Sequence, residues 1–540
     1  MSDDETLGPC PRRMSVWSLL LDQARVDDPV LHHQYRGKGT AEDPYIVAWI
    51  PDDPGNPHNW PTWLRWMITV VSAFTCFVVA FSSSAYTGEP PRTPAVHQSI
   101  LAISNRDSGT MTELMVHFGA SDTLITAGVS LYVLGFALGP LIWAPLSEMY
   151  GRQIVFAFSY GAYAVFSAGC TADNGVATLL VLRFFAGAFG SSPLTNAGGV
   201  ISDVFEANER SIAMGVFSLA PAMGPTFGPF IGGYLGMDEG WRWVMGLMAI
   251  LAGFAWMLGV CLVPETYAPV ILKKRSQALS KEVGKVFKTE LEVQGASSTP
   301  AQIVRTALYR PLALLFAEPI VLILSIYTAI LYGTLYMLFG AYPVVFQLQR
   351  GWSPGKGGLA FLGIAVGMFA AVPAVAVINR WYVKKAAESK GPPAPELRLP
   401  GGMIGSIALP AGMFWFAWTT YSSVYWLSPV AAGVPFGFGL TLIFTAVFSY
   451  LIDAYTIYAA SALAANTVLR SLFGAAFPLF TRQMYDKLGT QWASSLPGFL
   501  ALACVPLPFV LWKHGPAIRK KCKYAARAAA ASEMDERIDN

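Results

Sequence analysis

Twelve apolar stretches, each near the length a helix needs to cross a bilayer, constrain this 540-residue chain more than any other feature. One crossing takes about 20 apolar residues. The stretches run approximately 64–86, 122–144, 153–171, 177–202, 210–235, 242–263, 313–345, 356–378, 403–419, 425–451, 456–480 and 496–513. The chain is 54% hydrophobic and 13% charged, against about 25% charged in an ordinary soluble domain. The expected fold class is an all-α membrane protein with twelve transmembrane helices. A formal net charge of +3 does not suggest a nucleic-acid partner. Arg183 and Arg470 lie deep inside two stretches, whereas the other Lys and Arg lie in tails, connections or stretch ends. A guanidinium near a bilayer centre is costly and persists where it faces a protein interior or a wet cavity. The two arginines therefore predict a polar pathway through the bundle.

Basic residues also predict orientation, because cytoplasmic connections are enriched in Lys and Arg. The connection after the sixth stretch holds Lys273, Lys274, Arg275, Lys281, Lys285, Lys288, Arg305 and Arg310. Those after the eighth and twelfth are similarly basic, and the alternate side is poor. Both termini and the long central connection are expected in the cytoplasm. The expected divisions are a cytoplasmic tail at 1–63, a six-helix half at 64–263, a cytoplasmic linker at 264–312, a second half at 313–513 and a cytoplasmic tail at 514–540. An internal repeat at an offset of 250 residues aligns Gly187 with Gly437, Asp203 with Asp453 and Ser211 with Ser461. Related halves around a central site are what alternating access needs.

The first sixty residues are polar, so no cleavable signal peptide is expected. Leu7 to Val26 reads either as a disordered tail or as a short amphipathic helix around Trp17 to Leu21. The connection from Gly88 to Ala120, with PPRTP and NRDSG, is long for the far side of such a bundle. A lid, a disordered insertion and the translated remnant of a retained intron all fit it. The six cysteines form no CxxC pair and read as buried apolar residues or free thiols.

The segment after the second stretch reads APLSEMYGRQ, Ala144 to Gln153. Pro145 and Gly151 allow a tight turn. Glu148 and Arg152 put opposite charges on a short connection, which could pair with each other or with a neighbouring helix end. A latch that breaks between conformations and a solvated turn are the two readings.

With these residues the chain resembles the major facilitator superfamily, whose cytoplasmic signature this segment matches. LRFFAGAFGSSP (Leu182–Pro193) is similar to that superfamily's span-four signature with its arginine. GPTFGPFIGG (Gly224–Gly233) is similar to the antiporter signature of drug:proton antiporters with twelve spans. DPGNPHNW (Asp53–Trp60), GWRWVMG (Gly240–Gly246), VPETYAPVILKKR (Val263–Arg275), PELRLP (Pro395–Pro400) and ASALAANTVLRS (Ala460–Ser471) are similar to the fungal members. The resemblance implies two pseudo-symmetric six-helix halves, export of small molecules, proton antiport and no cofactor beyond the proton gradient. It also implies that the latch residues Glu148, Gly151 and Arg152 act at the cytoplasmic face, where Asp203 and Asp453 close their spans. The long first outer connection departs from the family.

Gly224, Gly228 and Gly232 recur every four residues and share one helix face, where small residues let backbones approach. Pro225 and Pro229 remove backbone donors and allow bending. The resemblance adds that this bend seals the half against leak.

Arg183 stays protonated when buried, so it cannot itself carry a transported proton. It can tune a nearby acid or hold an anionic group, and the resemblance implies a part in proton coupling. Its other reading is a structural donor to facing carbonyls. Arg470 reads as a substrate contact or as a member of a structural network. No Asp or Glu falls at the middle of any stretch. Glu318, beside Pro319 near one end of the seventh, is the candidate proton-coupling carboxyl, with a structural acid as its other reading. Tyr332, Tyr336 and Phe339 fall at i, i+4 and i+7 on one side of the seventh stretch. They read as a cavity wall that hydrogen-bonds or stacks on substrate, or as packing. Tyr132, Asn196, Trp415 and Asn466 are further substrate-binding candidates, each with a core role as the alternative.

All six histidines lie outside the stretches, so metal or acid–base catalysis at membrane depth is not expected. GWSPGKG (Gly351–Gly357) lacks phosphate-loop spacing and a Ser or Thr after its Lys, which argues against ATP-driven transport. No enzyme activity and no metal are expected. The predicted function is a secondary-active exporter of small organic molecules, with a proton-independent facilitator and a transporter-like receptor as rivals. Its expected partners are a small-molecule substrate, protons and the lipid bilayer, in a monomer at the plasma membrane or the vacuole. The lack of cavity acids weakens a polyamine substrate, because polycations need carboxylates nearby.

Overall fold

The computed structural model describes residues 16–24, 26–87, 110–172, 175–293, 300–388 and 393–528. Its first half contains spans at Thr62–Ser84, Asp122–Tyr150, Arg152–Gly169, Val176–Val204, Ala207–Asp238 and Trp241–Leu262. Its second contains Pro319–Tyr342, Leu362–Glu388, Pro400–Trp418 and Gly433–Tyr455 as spans seven to ten. The last two lie within Ala459–Cys504, where Gly489 leaves helical geometry at φ 75°, and the chain then continues into Pro506–Lys521. Nine described helical segments are long and apolar enough to cross a membrane. The segment that turns at Gly489 supplies two crossings. Arg152–Gly169 and Ala207–Asp238, with polar residues at their ends, complete the twelve. These helices make a multi-pass membrane protein.

Several helices outrun their apolar stretches. Span two extends to Tyr150, so most of the APLSEMY segment is helix rather than loop. Gly151 alone turns the chain, at φ 97°. A Cβ there would collide with the Glu265 carboxylate, so glycine is required by both its backbone and its neighbour. The helix holding residue 313, Pro300–Ala317, ends just before Glu318, and a fresh helix starts at Pro319. Proline at the first helical position explains the restart.

The described segments before span one and after span twelve lie on one face of the bundle, the terminal face. There the sequence led us to expect a plain polar tail and linker, but they fold together. Tyr45–Val47 pairs as a parallel strand with Phe287–Thr289. Val30, Val47, Leu279 and Phe287 form a small apolar core beneath the pair. Arg275 makes a two-pronged ion pair with the buried Asp53, Nη2 to Oδ1 3.2 Å, and stacks over Trp49. Trp17 to Leu21 falls within a short helix, Val16–Leu21. Most of the Gly88–Ala120 connection lies outside the described residues, and its last part forms the helix Thr110–Phe118. Glu113 of that helix accepts the Trp241 N–H at 2.7 Å and so caps span six. Burial pushes the Glu113 carboxyl above the usual carboxylate range, opposed by that N–H and by Arg242.

On the far face the backbones of the two halves meet. A Cβ on Gly233 would fall 2.8 Å from the Pro354 carbonyl oxygen, and one on Gly358 would strike Pro229. Span two packs against span eleven, and the side chain of Ser83 in span one meets Tyr336 in span seven, Oγ to phenol 2.8 Å.

Candidate functional site

Arg470 and Arg183 occupy different chemical surroundings. Arg183 is 3% exposed. Its guanidinium is sandwiched between the rings of Tyr86 and Tyr132, at 4.4 and 4.6 Å. Nη1 donates to the Ser82 carbonyl at 2.9 Å and reaches Met248 Sδ at 3.7 Å. Tyr132 is itself tied down, donating to the Val79 carbonyl at 2.9 Å. All these groups belong to the first half, so the packing holds spans one, two, four and six together.

Arg470 is only partly buried, and it makes no hydrogen bond or ion pair with a described residue. Three aromatic rings surround it instead. Tyr332 of span seven lies at 4.9 Å, and Phe444 and Phe448 of span ten lie at 5.6 Å. Those rings are partly exposed too. Gly474 stands one turn along from Arg470, on the same side of span eleven. A Cβ at Gly474 would lie 2.8 Å from Tyr332 and 3.2 Å from Val133 of span two. This side of span eleven is therefore the seam between the halves, and Arg470 faces it.

The aromatic face of span seven forms as its spacing predicts. Tyr332 and Tyr336 have centroids 4.9 Å apart, and Tyr336 meets Phe339 edge-on at 5.1 Å. The three differ in access. Tyr332 is partly exposed, while Tyr336 and Phe339 are buried. The Tyr332 hydroxyl donates to that of Tyr336 at 3.4 Å, so a hydrogen-bonded chain runs from the Arg470 cradle to Ser83 in the other half.

The remaining candidates fall elsewhere. Asn466 is fully buried and donates to Thr328 Oγ1 at 2.7 Å, an interhelical bond between spans eleven and seven. Asn196 lines a cavity inside the first half with Ser72, Thr75 and Arg152, and its Oδ1 accepts from Ser147 at 2.9 Å. Trp415 lies apart from this group. It is 44% exposed on span nine and donates to Ser428 Oγ at 3.1 Å. Glu318 is fully buried at the terminal face, where it accepts from the Tyr455 hydroxyl at 3.0 Å and the Tyr524 backbone N–H at 2.8 Å. It ties the C-terminal tail to spans seven and ten.

Of the latch candidates, Arg152 and Asp203 meet in the first half, while Asp453 pairs with Arg398 in the second. Arg152 Nε contacts Asp203 Oδ2 at 3.3 Å and stacks over Tyr267 at 4.8 Å. Glu265, for which the VPETYAPVILKKR motif carries no local sign of a role, accepts the Arg152 backbone N–H at 2.9 Å. It is buried at the N-terminus of span three, where a carboxylate is favoured. Thr266 donates to Asp203 at 3.2 Å. Burial pushes the Tyr267 phenol upward, with Glu148 adding to the rise and Arg152 opposing it. Glu148 itself is exposed and takes no part in the Arg152–Asp203 pair. The second half repeats the theme. Arg398 meets Asp453 at 2.7 Å and stacks on Tyr382 at 3.5 Å, and Arg519 grips Glu396 through two bonds of 2.9 and 3.0 Å. The Asp203 and Asp453 ion pairs each stay inside one half. Offset by 250 residues in the sequence, these acids end corresponding spans.

The span-five glycines share one face, and that face meets span one. A Cβ on Gly224 would lie 2.6 Å from Ala80 Cβ and from the Phe81 nitrogen, and one on Gly228 or Gly232 would strike Ser84 or Ala85. Pro229 has no N–H to give to the Pro225 carbonyl four residues earlier. Ser84 Oγ supplies the missing donor at 3.0 Å. The bend-permitting prolines are thus paid for by a neighbouring helix.

Comparisons with known proteins agree with this architecture. The family model described as Major Facilitator Superfamily matches residues 99–478. The chain is 52% identical to "MFS-type efflux pump MFS2" of Trichophyton rubrum over 96% of its length and 84% of that protein's. It is 51% identical to the "Major facilitator superfamily multidrug transporter mdrA" of Aspergillus fumigatus, covering 96% of this chain and 82% of the relative. "Efflux pump FUBT" of Fusarium oxysporum is 49% identical over 93% and 82%. Among solved structures, the proton:xylose symporter XylE superposes with a TM-score of 0.56 at 15% identity, over 84% of this chain and 96% of XylE. The human organic anion transporter MFSD10 does so at 0.54 and 17%, over 84% and 100%. The chain belongs to the Major Facilitator Superfamily.

Proposed function

We propose that this protein is a secondary-active exporter of small organic molecules that works by alternating access. The observation that carries the proposal is the distribution of contacts between the halves. The backbones of span five and of the short helix Pro354–Leu359 that leads into span eight meet on the far face, whereas the Arg152–Asp203 and Arg398–Asp453 pairs of the terminal face stay within their own halves. Such an arrangement suits one end state of a rocking pair, closed on the far face. The moving units would be residues 64–263 and 313–513, with the terminal face in the cytoplasm and the plasma membrane as the site of action. The names of the fungal relatives, efflux pump and multidrug transporter, support export over uptake.

Proton antiport is the energy source in this proposal, with Glu318 as its candidate carboxyl. Tyr455 and Tyr524 hold Glu318 at the terminal face, so proton entry there would loosen the C-terminal tail from spans seven and ten. The protein would act as a monomer on a small-molecule substrate. The test has two parts. A transporter-poor yeast expressing the chain is grown against a panel of toxic compounds and weak acids, and the same compounds are followed in reconstituted vesicles. Raised tolerance with outward flux is the expected result. Flux that stays the same with and without a pH gradient would remove the proton, and no flux of any compound would remove export.

A further inference from the structure

The cargo's chemistry can be read from what Arg470 lacks. A protonated guanidinium carries five N–H donors and no acceptor. In the seam those donors have no acid, carbonyl or amide of the described protein to bond, and Nε is buried without a partner. Aromatic faces offset part of the cost through their quadrupoles. They cannot replace hydrogen bonds, because a ring offers no in-plane acceptor. Tyr332, Phe444 and Phe448 surround the cation and are partly open to the seam. The result is a basic centre in an apolar collar.

We infer that this collar binds the anionic group of a planar organic acid: the carboxylate bonds Arg470 while the ring system stacks among Tyr332, Phe444 and Phe448. This rests on the export reading above and narrows it to a substrate class. Guanidinium presents paired donors in the geometry that a carboxylate accepts in two-pronged fashion. A cationic substrate would meet like charge with no acid nearby to offset it. A neutral substrate can offer one donor a carbonyl oxygen, but not the paired, charged acceptor that a carboxylate presents. Arg183 also keeps Nε and Nη2 without a partner, but it is 3% exposed inside a closed sandwich of tyrosines, so an anion does not reach it.

The same geometry gives the anion a way to affect the seam. The Tyr332 hydroxyl bonds Tyr336, and Tyr336 bonds Ser83 across the halves. An acid that draws Arg470 away from the Tyr332 ring shifts the first member of that chain.

Three isosteric probes test the inference on the full-length protein in lipid nanodiscs and vesicles: naphthoate, naphthamide and the cationic naphthylmethylamine. Wild type is expected to bind naphthoate at least about tenfold tighter than naphthamide, since a two-pronged bond between opposite charges outweighs a bond to a neutral oxygen by that order. Arg470→Gln is expected to erase the gap by weakening naphthoate about tenfold, while unfolding in nanodiscs reports that the variant is folded. Arg470→Lys keeps the charge and loses the planar fork, so naphthoate weakens several-fold and naphthamide does not. Naphthamide binding also reports that each variant is folded. A wild-type preference for the amide or the amine overturns the inference, as does a naphthoate preference that survives Arg470→Gln. Outward flux of naphthamide without any preference for naphthoate sinks the anion site and spares the exporter. Binding and flux of none of the three sink both.

Discussion

Arg183 and Arg470 are the same residue at membrane depth, yet the two halves treat them in opposite ways. In the first half the guanidinium is clamped between Tyr86 and Tyr132 and bonded to a backbone carbonyl. In the second half it leans on Tyr332, Phe444 and Phe448 with its donors unclaimed. A buried cation that is enclosed contributes to holding helices together. One that is left open contributes binding capacity. The difference suggests that the halves have divided the labour, with packing in the first and recognition in the second.

The largest effect expected from this contrast comes from truncating the enclosed cation. Arg183→Ala should lower unfolding stability in nanodiscs by roughly 3 kcal/mol, from an unfilled cavity and lost ring contacts. Arg470→Ala should cost under about 1 kcal/mol yet reduce export of anionic substrates about tenfold or more. Equal stability losses in an unfolding titration would erase the distinction. Next in size, Gly228→Val pushes a side chain into Ser84 and Ala85 of span one. About 2 kcal/mol of overpacking strain is expected, read in the same titration, and a neutral result would mean span five is free to slide. A smaller effect, about 1 kcal/mol, is expected for Asp203→Asn and for Asp453→Asn, since both pairs are partly solvent-exposed. Their sharper readout is transport rate, and matching rate changes would show that the two latches work alike. The smallest, at or below about 1 kcal/mol, is Ser84→Ala, which leaves the Pro225 carbonyl without its donor. A loss above that of Gly228→Val would mean the serine does more than satisfy one carbonyl.

The sequence made the spans legible because an apolar run of bilayer length has few alternatives. It also placed Gly224, Gly228 and Gly232 on one face, and Tyr332, Tyr336 and Phe339 on another, because helical spacing is local. Helix ends were harder. Span two runs on through Glu148 to Tyr150, since a helix does not stop where it leaves the apolar layer. Contacts between distant segments left no local trace. Nothing in the periodicity of span eleven reveals that Phe444 and Phe448 flank Arg470, or that Glu265 reaches the backbone of Arg152. Trp415 shows the converse, an aromatic whose spacing does not tell a seam from an outer surface. Beside an apolar stretch, Glu318 is open in the sequence to both a proton-coupling and a structural reading. Its partners Tyr455 and Tyr524 lie 137 and 206 residues further along the chain.

The strand pairing between Tyr45–Val47 and Phe287–Thr289 changes how much slack joins the halves. A polar leash counted from Leu262 would let them drift widely, but one knotted at Thr289 to the stem of span one is shorter. Shorter tethers hold their ends at higher effective concentration. Recombinant versions that begin at the first apolar residue would untie that knot while leaving every membrane helix intact.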